Sequence, residues 1–365
     1  NLFKPEKTWT PTNTIGNHIA LFANGGVERG KSYDANQINI STYSSIEFKI
    51  DNKIKSVIGL RAENFVQKYT GENSGGTVKY DDEKVIDKLD IFPSTNFIYS
   101  LKENSNLRLS YSKTTARPSF KEVSIAEIYD PLSNMTFNGN INLKPSYIDN
   151  LDLRYELFGE DNELFAISGF YKSFKDPIEL TYYEASTENF QPKNLGNAKV
   201  YGLELELRKQ ISQSLGINLN ASIIESRQQY GASELSLRTK GLRDGESLGA
   251  YRNLQGQSPF LINSSLDYKN ENGLRAGLFF NMQGKTLEVV GTGFAPDVYT
   301  QPYESLNLNM SKSYGKNQNK TVTIKVENIL DSKKESFYES FKAENEIFSF
   351  REQGTTFSVG YSIKL

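Results

Sequence analysis

The residues of this sequence whose types and spacing could do chemistry are charged side chains set at every second position. Asp152, Arg154 and Glu156 form one such run, Glu204, Glu206 and Arg208 a second, and Lys325 with Glu327 a third; Arg108 stands likewise between Leu107 and Leu109, and Glu63 falls on the polar face of its own segment. Such alternation puts the charges on one face of an extended chain, where they can pair with one another or with a second surface laid against them. Other reactive types are scarce. There is one histidine, His18, beside Asn17 in a polar stretch, and no cysteine, so disulfides, thiolate chemistry and sites built from several imidazoles are excluded. Asp81-Asp82-Glu83 lacks the glycine and spaced oxygens of a calcium loop and is expected at the solvated tip of a connection. Gly291-x-Gly293 does not continue into a phosphate-binding pattern. No residue set supports an enzyme, and no cofactor or metal is expected.

Aromatic side chains make the second candidate set. Tyr129, Phe137, Tyr182, Tyr183, Phe190, Tyr230, Phe294, Tyr299, Tyr338 and Phe348 fall in polar connections. Aromatic faces stack on sugars and other ligands and anchor binding, so these are candidate substrate contacts. The alternative for each is packing within an ordered loop.

The elements that must position both sets are strands. Helical periodicity is nearly absent, and period-two alternation recurs. Leu151, Leu153, Tyr155 and Leu157 oppose Asp152, Arg154 and Glu156; Leu203, Leu205 and Leu207 oppose Glu204, Glu206 and Arg208; Phe357, Val359, Tyr361, Ile363 and Leu365 oppose Thr356, Ser358, Gly360, Ser362 and Lys364. Thirteen strands are expected, near 40–50, 56–67, 91–102, 106–116, 147–159, 163–174, 197–210, 215–229, 258–270, 273–285, 302–314, 319–330 and 355–365. Each is about 11–14 residues, longer than a globular strand and close to the 9–11 of a tilted membrane strand. Short links at Asp51–Lys55, Glu103–Ser105, Gly159–Asp161, Ile211–Ser214, Asn270–Asn272 and Gly315–Asn319 alternate with long ones near 68–90, 117–146, 175–196, 230–257, 286–301 and 331–354. An outer-membrane β-barrel has that layout, with short periplasmic turns and long extracellular loops. Tyr99, Tyr111, Phe158, Phe165, Tyr171, Tyr268 and Phe280 suit its interfacial girdles. A soluble antiparallel sandwich also alternates apolar and polar residues and stays open as a second fold. On the barrel reading the alternating charges face the lumen, because charge toward lipid costs roughly 2–4 kcal/mol at the midplane; they then pair with each other, hold a plug, or solvate the wall.

Composition agrees. Hydrophobic content is 37%, with 22 Phe and 21 Tyr, and the net charge of −2 gives no basic excess to suggest nucleic acid. No apolar run approaches the roughly 18 residues of a membrane helix. Asn1-Leu2-Phe3-Lys4-Pro5 carries no secretory leader and reads as the start of a mature or truncated chain.

Several segments resemble the C-terminal part of TonB-dependent receptors, especially those of Bacteroidota. They are Gly59-Leu60-Arg61-Ala62-Glu63, Phe92-Pro93-Ser94-Thr95-Asn96, Ala116-Arg117-Pro118-Ser119-Phe120-Lys121-Glu122, Gly139-Asn140 through Leu143-Lys144-Pro145 with Asn150-Leu151-Asp152-Leu153, Tyr201-Gly202-Leu203-Glu204-Leu205-Glu206, Arg252 through Phe260, and Glu327-Asn328-Ile329-Leu330-Asp331. They fall in the family's order from about residue 33 to the end. Arg117-Pro118 and Lys144-Pro145 read as scaffold, where proline ends or begins a strand. The resemblance implies a twenty-two-stranded all-β antiparallel meander barrel in the outer membrane, with residues 1–39 as an extracellular loop segment and 40–365 as the C-terminal part of the wall. It implies outer-membrane lipid, a plug domain and the TonB complex as partners, the last two through a segment outside this sequence. A surface lipoprotein is a further implied partner, and the ligand would be a scarce nutrient: a siderophore, vitamin, glycan or peptide. Thirteen strands leave two open edges running the same way, so the chain is expected to be a fragment. The rival readings are a self-contained smaller channel or adhesin and a soluble binding module.

Overall fold

The computed structural model describes residues 30, 32–130, 135–183, 186–293 and 295–364; His18 and Phe294 lie outside the described residues. Thirteen strands form one sheet: β1 (Tyr33–Ile50), β2 (Ile54–Glu72), β3 (Lys79–Lys102), β4 (Ser105–Ala116), β5 (Ser146–Phe158), β6 (Leu164–Lys175), β7 (Ala198–Gln210), β8 (Leu215–Gln228), β9 (Phe260–Lys269), β10 (Leu274–Gln283), β11 (Tyr303–Tyr314), β12 (Lys320–Glu327) and β13 (Thr356–Ile363). Their order in the sheet is their order in the chain, and every neighbouring pair is antiparallel. Each matches one of the strands expected from the alternation.

The period of two gives the sheet two chemically different faces. Leu203, Leu205 and Leu207 of β7 stand beside Ile223, Ala221 and Leu219 of β8 and beside Gly169, Ile167 and Phe165 of β6. This apolar face has no protein covering it: Leu203 is 59% exposed and Val359 of β13 79%. Against water such a surface is an aggregation site, whereas against hydrocarbon it is the stable arrangement. Glu204, Glu206 and Arg208 lie on the other face, beside Ser222, Asn220 and Asn218. Tyr99, Tyr111, Phe165, Tyr171, Tyr268 and Phe280 fall on the apolar face. Phe158 does not: it closes β5 in register with Leu164, on the polar side.

The two ends of the sheet differ. At one end the turns are short, and left-handed Asp51 and Asn52 (φ 51° and 52°) close β1 onto β2 with residue types that tolerate that conformation. At the other end three expectations change. β1 begins at Tyr33, so residues 33–39 belong to the wall rather than to a loop. β2 and β3 extend through most of the expected 68–90 loop, leaving a tight turn in which the Asn73 side-chain oxygen accepts the N–H groups of Thr77 and Val78 at 2.8 and 3.0 Å. Tyr69 stacks on Tyr33 and meets Tyr80 edge-on, centroids 5.7 and 6.0 Å away, and this ladder holds the extension. Asp81-Asp82-Glu83 is therefore not a loop tip but an irregularity within β3, with Asp82 at φ 51° and ion-paired to Lys68.

The remaining long connections carry structure of their own. One four-stranded sheet joins Glu127–Asp130, Met135–Asn138, Ser186–Asn194 and Ile178–Tyr183; another joins Thr286–Val289, Asp297–Thr300, Lys333–Glu339 and Glu346–Glu352. Two helices accompany them, α1 (Phe120–Val123) and α2 (Ala232–Lys240). β1 and β13 are the edges of the large sheet and are not hydrogen-bonded to each other. With thirteen antiparallel strands they run the same way, so joining them would make a parallel seam. The self-closed smaller barrel is not formed.

Candidate functional site

The polar face brings the expected charges together strand by strand. The register aligns Arg108, Arg154, Ser168 and Glu204 of β4 to β7 in one row, and Asn106, Glu156, Ala166 and Glu206 in the next. Arg108 and Arg154 are direct cross-strand neighbours and would repel. Glu156 lies diagonally between them and answers both, accepting from Arg108 Nη2 at 3.2 Å and Arg154 Nε at 2.9 Å. Arg154 reaches on to Glu206 Oε2 at 2.7 Å and Ser168 Oγ at 3.2 Å. The small Ala166 stands between the two glutamates and leaves room for that reach. Arg208 completes the chain 3.7 Å from Glu206. Asp152, Glu204, Lys325 and Glu327 share the face but join no ion pair among the described residues. Below the row, Arg208, Asn218, Asp267, Arg275, Asn309 and Ser311 line a hollow of about 700 Å³ toward the short-turn end.

Glu63 belongs to a second knot. It accepts from Arg61 Nε at 2.5 Å and from Arg117 Nη2 at 2.8 Å; Arg117 also lies 3.4 Å from Asp90 and 4.3 Å over the Phe65 ring. Tyr147 donates to Asp90 at 2.7 Å. Arg117 thus does more than precede a proline: it pins the long connection after β4 to the wall. The following residues show why this stretch has its spelling. Ser119 caps α1, and Glu122 reaches back to the Ser119 N–H at 2.7 Å. Gly139 passes so close that an added Cβ would lie 2.1 Å from the Ser124 carbonyl. Asn140 then donates its N–H to Glu122 O at 2.6 Å and its side-chain amide to Pro192 O at 3.1 Å.

The aromatic candidates divide. Tyr182, 1% exposed, and Phe190 form a core with Val289, Ala295 and Val298, and Phe137, Tyr338 and Phe348 pack against it. Phe348 meets Phe190 and Tyr338 edge-on, at 6.1 and 5.3 Å. These rings are the joint between the two loop sheets, so the packing alternative describes them. At the joint Val290 N donates to Leu180 O at 3.0 Å and Thr181 Oγ1 to Val290 O at 2.9 Å. Burial pushes the Tyr182 hydroxyl well above the usual tyrosine range. Tyr299, raised by burial, lies beneath Lys285 at 4.6 Å, and Tyr230, raised the same way, lies beneath Arg238 at 5.6 Å. Tyr183 is half-buried, and Tyr129, 54% exposed, is the most exposed of the candidates among the described residues.

Sequence reasoning missed the charged brace beside this core. Arg252 gives Nη1 and Nη2 to the two oxygens of Glu179 at 2.8 and 2.7 Å, and Nε to Glu234 of α2 at 2.6 Å. Arg238 joins the same Glu234 at 3.0 Å to Asp297 at 2.6 Å. Burial opposes the charge on Arg252, but Glu179 and Glu234 outweigh it and hold the guanidinium above the ordinary arginine range. Asp297 and Glu234 do the same for Arg238. Gln255 copies a strand edge, accepting from Leu180 N at 2.6 Å and donating to Leu180 O at 3.1 Å. The Arg252 to Phe260 motif is thus a clamp between loops. Nearby, Thr286, Glu288, Lys334, Ser336 and Arg351 line a polar cleft of about 310 Å³, in which Thr300 donates to Glu288 at 2.7 Å. Among the described residues no group of three or more acidic or imidazole side chains is arranged to hold a metal ion.

Residues 23–363 match the model of a family described as the outer membrane protein beta-barrel family. No curated protein matches the chain. Among solved structures the chain is similar to the ferric yersiniabactin uptake receptor FyuA from Yersinia pestis, with a TM-score of 0.62 and 15% identity over 91% of this chain and 46% of that one. It is similar to the copper transporter OprC, with a TM-score of 0.63 and 16% identity over 90% and 48%. It is also similar to the siderophore receptor PiuA from Acinetobacter baumannii, with a TM-score of 0.63 and 15% identity over 91% and 44%. The chain spans a little under half the length of each, and at these identities the likeness is one of fold.

Proposed function

This chain belongs to the outer membrane protein beta-barrel family, and from that premise we propose that it forms the C-terminal wall and several ligand-facing loops of a TonB-dependent receptor for energised uptake of a scarce small-molecule nutrient. One observation carries the reading: a wall whose inner face is a hydrated ion-pair row rises into a loop assembly braced by its own buried core. A passive pore also has a charged lumen, so the braced loop assembly is the part that favours a receptor. The Arg154 row offers both signs of charge to a plug, with side chains still partly in water, which suits a surface that holds and releases. The braced loops offer a fixed platform, which lowers the ordering cost of binding. Lys334 and Arg351 give the cleft cationic donors for an anionic, oxygen-rich ligand, while the Glu288 carboxylate that shares the lining is already held by Thr300 and Ser336. Of the proteins of similar fold, one is named for ferric yersiniabactin, one for a siderophore and one for copper, which favours metals and their chelates within the nutrient class. The plug and the TonB complex would be supplied through a segment outside this sequence, the plug then seating against the Arg154 row; a surface lipoprotein is a further proposed partner, and the chain carries out no bond chemistry.

The test is growth of the source bacterium with and without the gene, supplied with iron only as defined ferric chelates. Loss of growth on one chelate, restored by the wild-type gene and abolished without TonB, is the expected result. Normal growth on every chelate but failure on a vitamin, glycan or peptide would move the ligand class. A steady open conductance of the purified protein in planar bilayers would replace the reading with a passive channel.

A further inference from the structure

At the long-loop end of β6 to β8 charge replaces the apolar side chains of the lipid-facing surface. On β6, β7 and β8 the outward rows read Phe165–Leu207–Leu219, Ile167–Leu205–Ala221 and Gly169–Leu203–Ile223, then Tyr171–Tyr201–Glu225, then Ser173–Lys199–Arg227. Lys199 and Arg227 are thus like charges directly opposite each other, an arrangement that destabilises a strand pair unless something answers it. Glu225 meets Arg227 at 2.6 Å. No carboxylate pairs with Lys199 or with Lys175 among the described residues. Asp149, the nearest acidic side chain in that row, lies beyond Ser173 and accepts from Tyr111 at 2.7 Å.

The height of this row fits a headgroup. On β7 the outward positions Leu207, Leu205, Leu203 and Tyr201 are bracketed by Lys209 and Lys199. About ten residues at 3.3 Å each, tilted by roughly 40°, rise about 25 Å, the height of a barrel's apolar band. Lys209 therefore marks the short-turn boundary and Lys199 the long-loop boundary of the hydrocarbon. The inward neighbours at that level are closed: Ala198 and Val200 are buried against Leu254. A ligand can reach Lys199 and Arg227 only from the membrane side. Tyr171, Lys175, Lys199, Tyr201, Arg227 and Tyr251 enclose a cavity of about 550 Å³ there. The Arg227 guanidinium lies 5.5 Å from the Tyr201 ring centroid.

From this we infer that the outer rim of β6 to β8 is a binding site for a phosphorylated glycolipid headgroup of the outer leaflet. Lys175, Lys199 and Arg227 take the phosphate, and the three tyrosines flank the sugar. The excess of cations over Glu225 is two, enough for one phosphate. This site faces away from the lumen and does not depend on the ligand carried.

The test uses full-length protein purified in detergent, titrated by native mass spectrometry with the bis-phosphorylated lipid A headgroup lipid, with the same lipid enzymatically dephosphorylated, and with inorganic phosphate. The phosphorylated lipid should bind, the dephosphorylated one roughly tenfold or more weakly, and excess inorganic phosphate should not displace it. The double variant Lys199→Gln, Arg227→Gln should lose a similar factor, Lys199→Arg should bind like wild type, and Lys209→Gln at the opposite rim should change nothing. Equal binding of the dephosphorylated lipid overturns the inference, as does an unaltered affinity in the double variant. Displacement by inorganic phosphate overturns the lipid assignment in favour of a simple anion site. If the double variant fails to fold, weakened binding in Lys199→Arg overturns the charge argument and retained binding supports it.

Discussion

Two ion-pair assemblies in this molecule use the same side chains to opposite ends. On the wall, Arg154 lies between Glu156 and Glu206 with its side chain 25% exposed. Above the mouth, Arg252 lies between Glu179 and Glu234 with 4% exposed, and those carboxylates keep 1% and 3%. Water still reaches the first set and would replace a lost partner. It cannot do so for the second, where removing one ion strands the others in a low dielectric. The wall row is a surface that can exchange partners, whereas the loop brace is fixed and holds two sheets and a helix in one arrangement.

The largest expected effect follows from that contrast. Arg252→Met leaves Glu179 buried without a counter-charge and Glu234 with Arg238 alone, at about 3–5 kcal/mol of local stability. Amide exchange should rise sharply in 178–183, 232–240 and 286–300, while β6 to β8 keep their protection. Unchanged exchange in those loops would show that the brace carries no weight. Phe190→Ala comes next, opening a cavity in the joint at about 3 kcal/mol or more, again confined to the loops. Tyr129→Ala should shift stability by less than about 0.5 kcal/mol. Any change it makes in affinity for the proposed ligand then reports contact rather than collapse, which separates the most exposed of the described rings from the five that build the joint.

How far each assembly was legible follows from its geometry. The thirteen strands and their two faces could be read because a strand repeats every second residue, so Glu204 and Leu203 declare opposite sides without any partner being known. That also placed Arg154, Glu156, Glu206 and Arg208 on one face. Their pairing was not written locally, since Arg154 and Glu206 meet only because β5, β6 and β7 keep register over 52 residues. The brace had no periodic signal at all: Arg252 finds Glu179 across 73 residues and two loops. The aromatic residues misled for a related reason. Polar neighbours made Tyr182 and Phe190 look exposed, and only the joining of two loop sheets buries them. One local sign is present in the connection after Arg117: Ser119-x-x-Glu122 spells a helix start, and the capping box forms there. In 68–90 the charges hide the alternation, which Tyr33, Tyr69 and Tyr80 restore only across strands.

The wall row supplies the middle-sized effect. Arg154→Met should cost about 1 kcal/mol, because Glu156 keeps Arg108 and water reaches Glu206. A double-mutant cycle with Glu206→Gln, read from urea unfolding of the full-length barrel, should return a coupling of that size. A loss as large as that of Arg252→Met would erase the distinction between exchangeable wall and fixed brace.

The smallest effect lies at the short-turn end, where a single pair joins two turns without burial. Glu163, in the turn between β5 and β6, accepts from Lys209 Nζ at 2.8 Å and from Gln210 N at 3.2 Å. The Lys209 hydrogen bond holds its carboxyl below the ordinary value of 4.5, against a small opposing effect of desolvation. A carboxyl lowered in the fold adds stability that is present above its unfolded value and is lost as pH falls through the lowered one. Glu163→Gln imitates the protonated acid, so the variant should protect the Gln210 amide less than wild type at neutral pH. The two should converge once the pH has dropped below the lowered pKa. Comparing both proteins at the same pH cancels the intrinsic exchange rate. Raising the pH above neutral should leave the difference intact, because Lys209 stays charged. A difference that persists in acid would mean the turn is held by the shape of residue 163 and not by its charge, and this pair would then fall outside the comparison altogether.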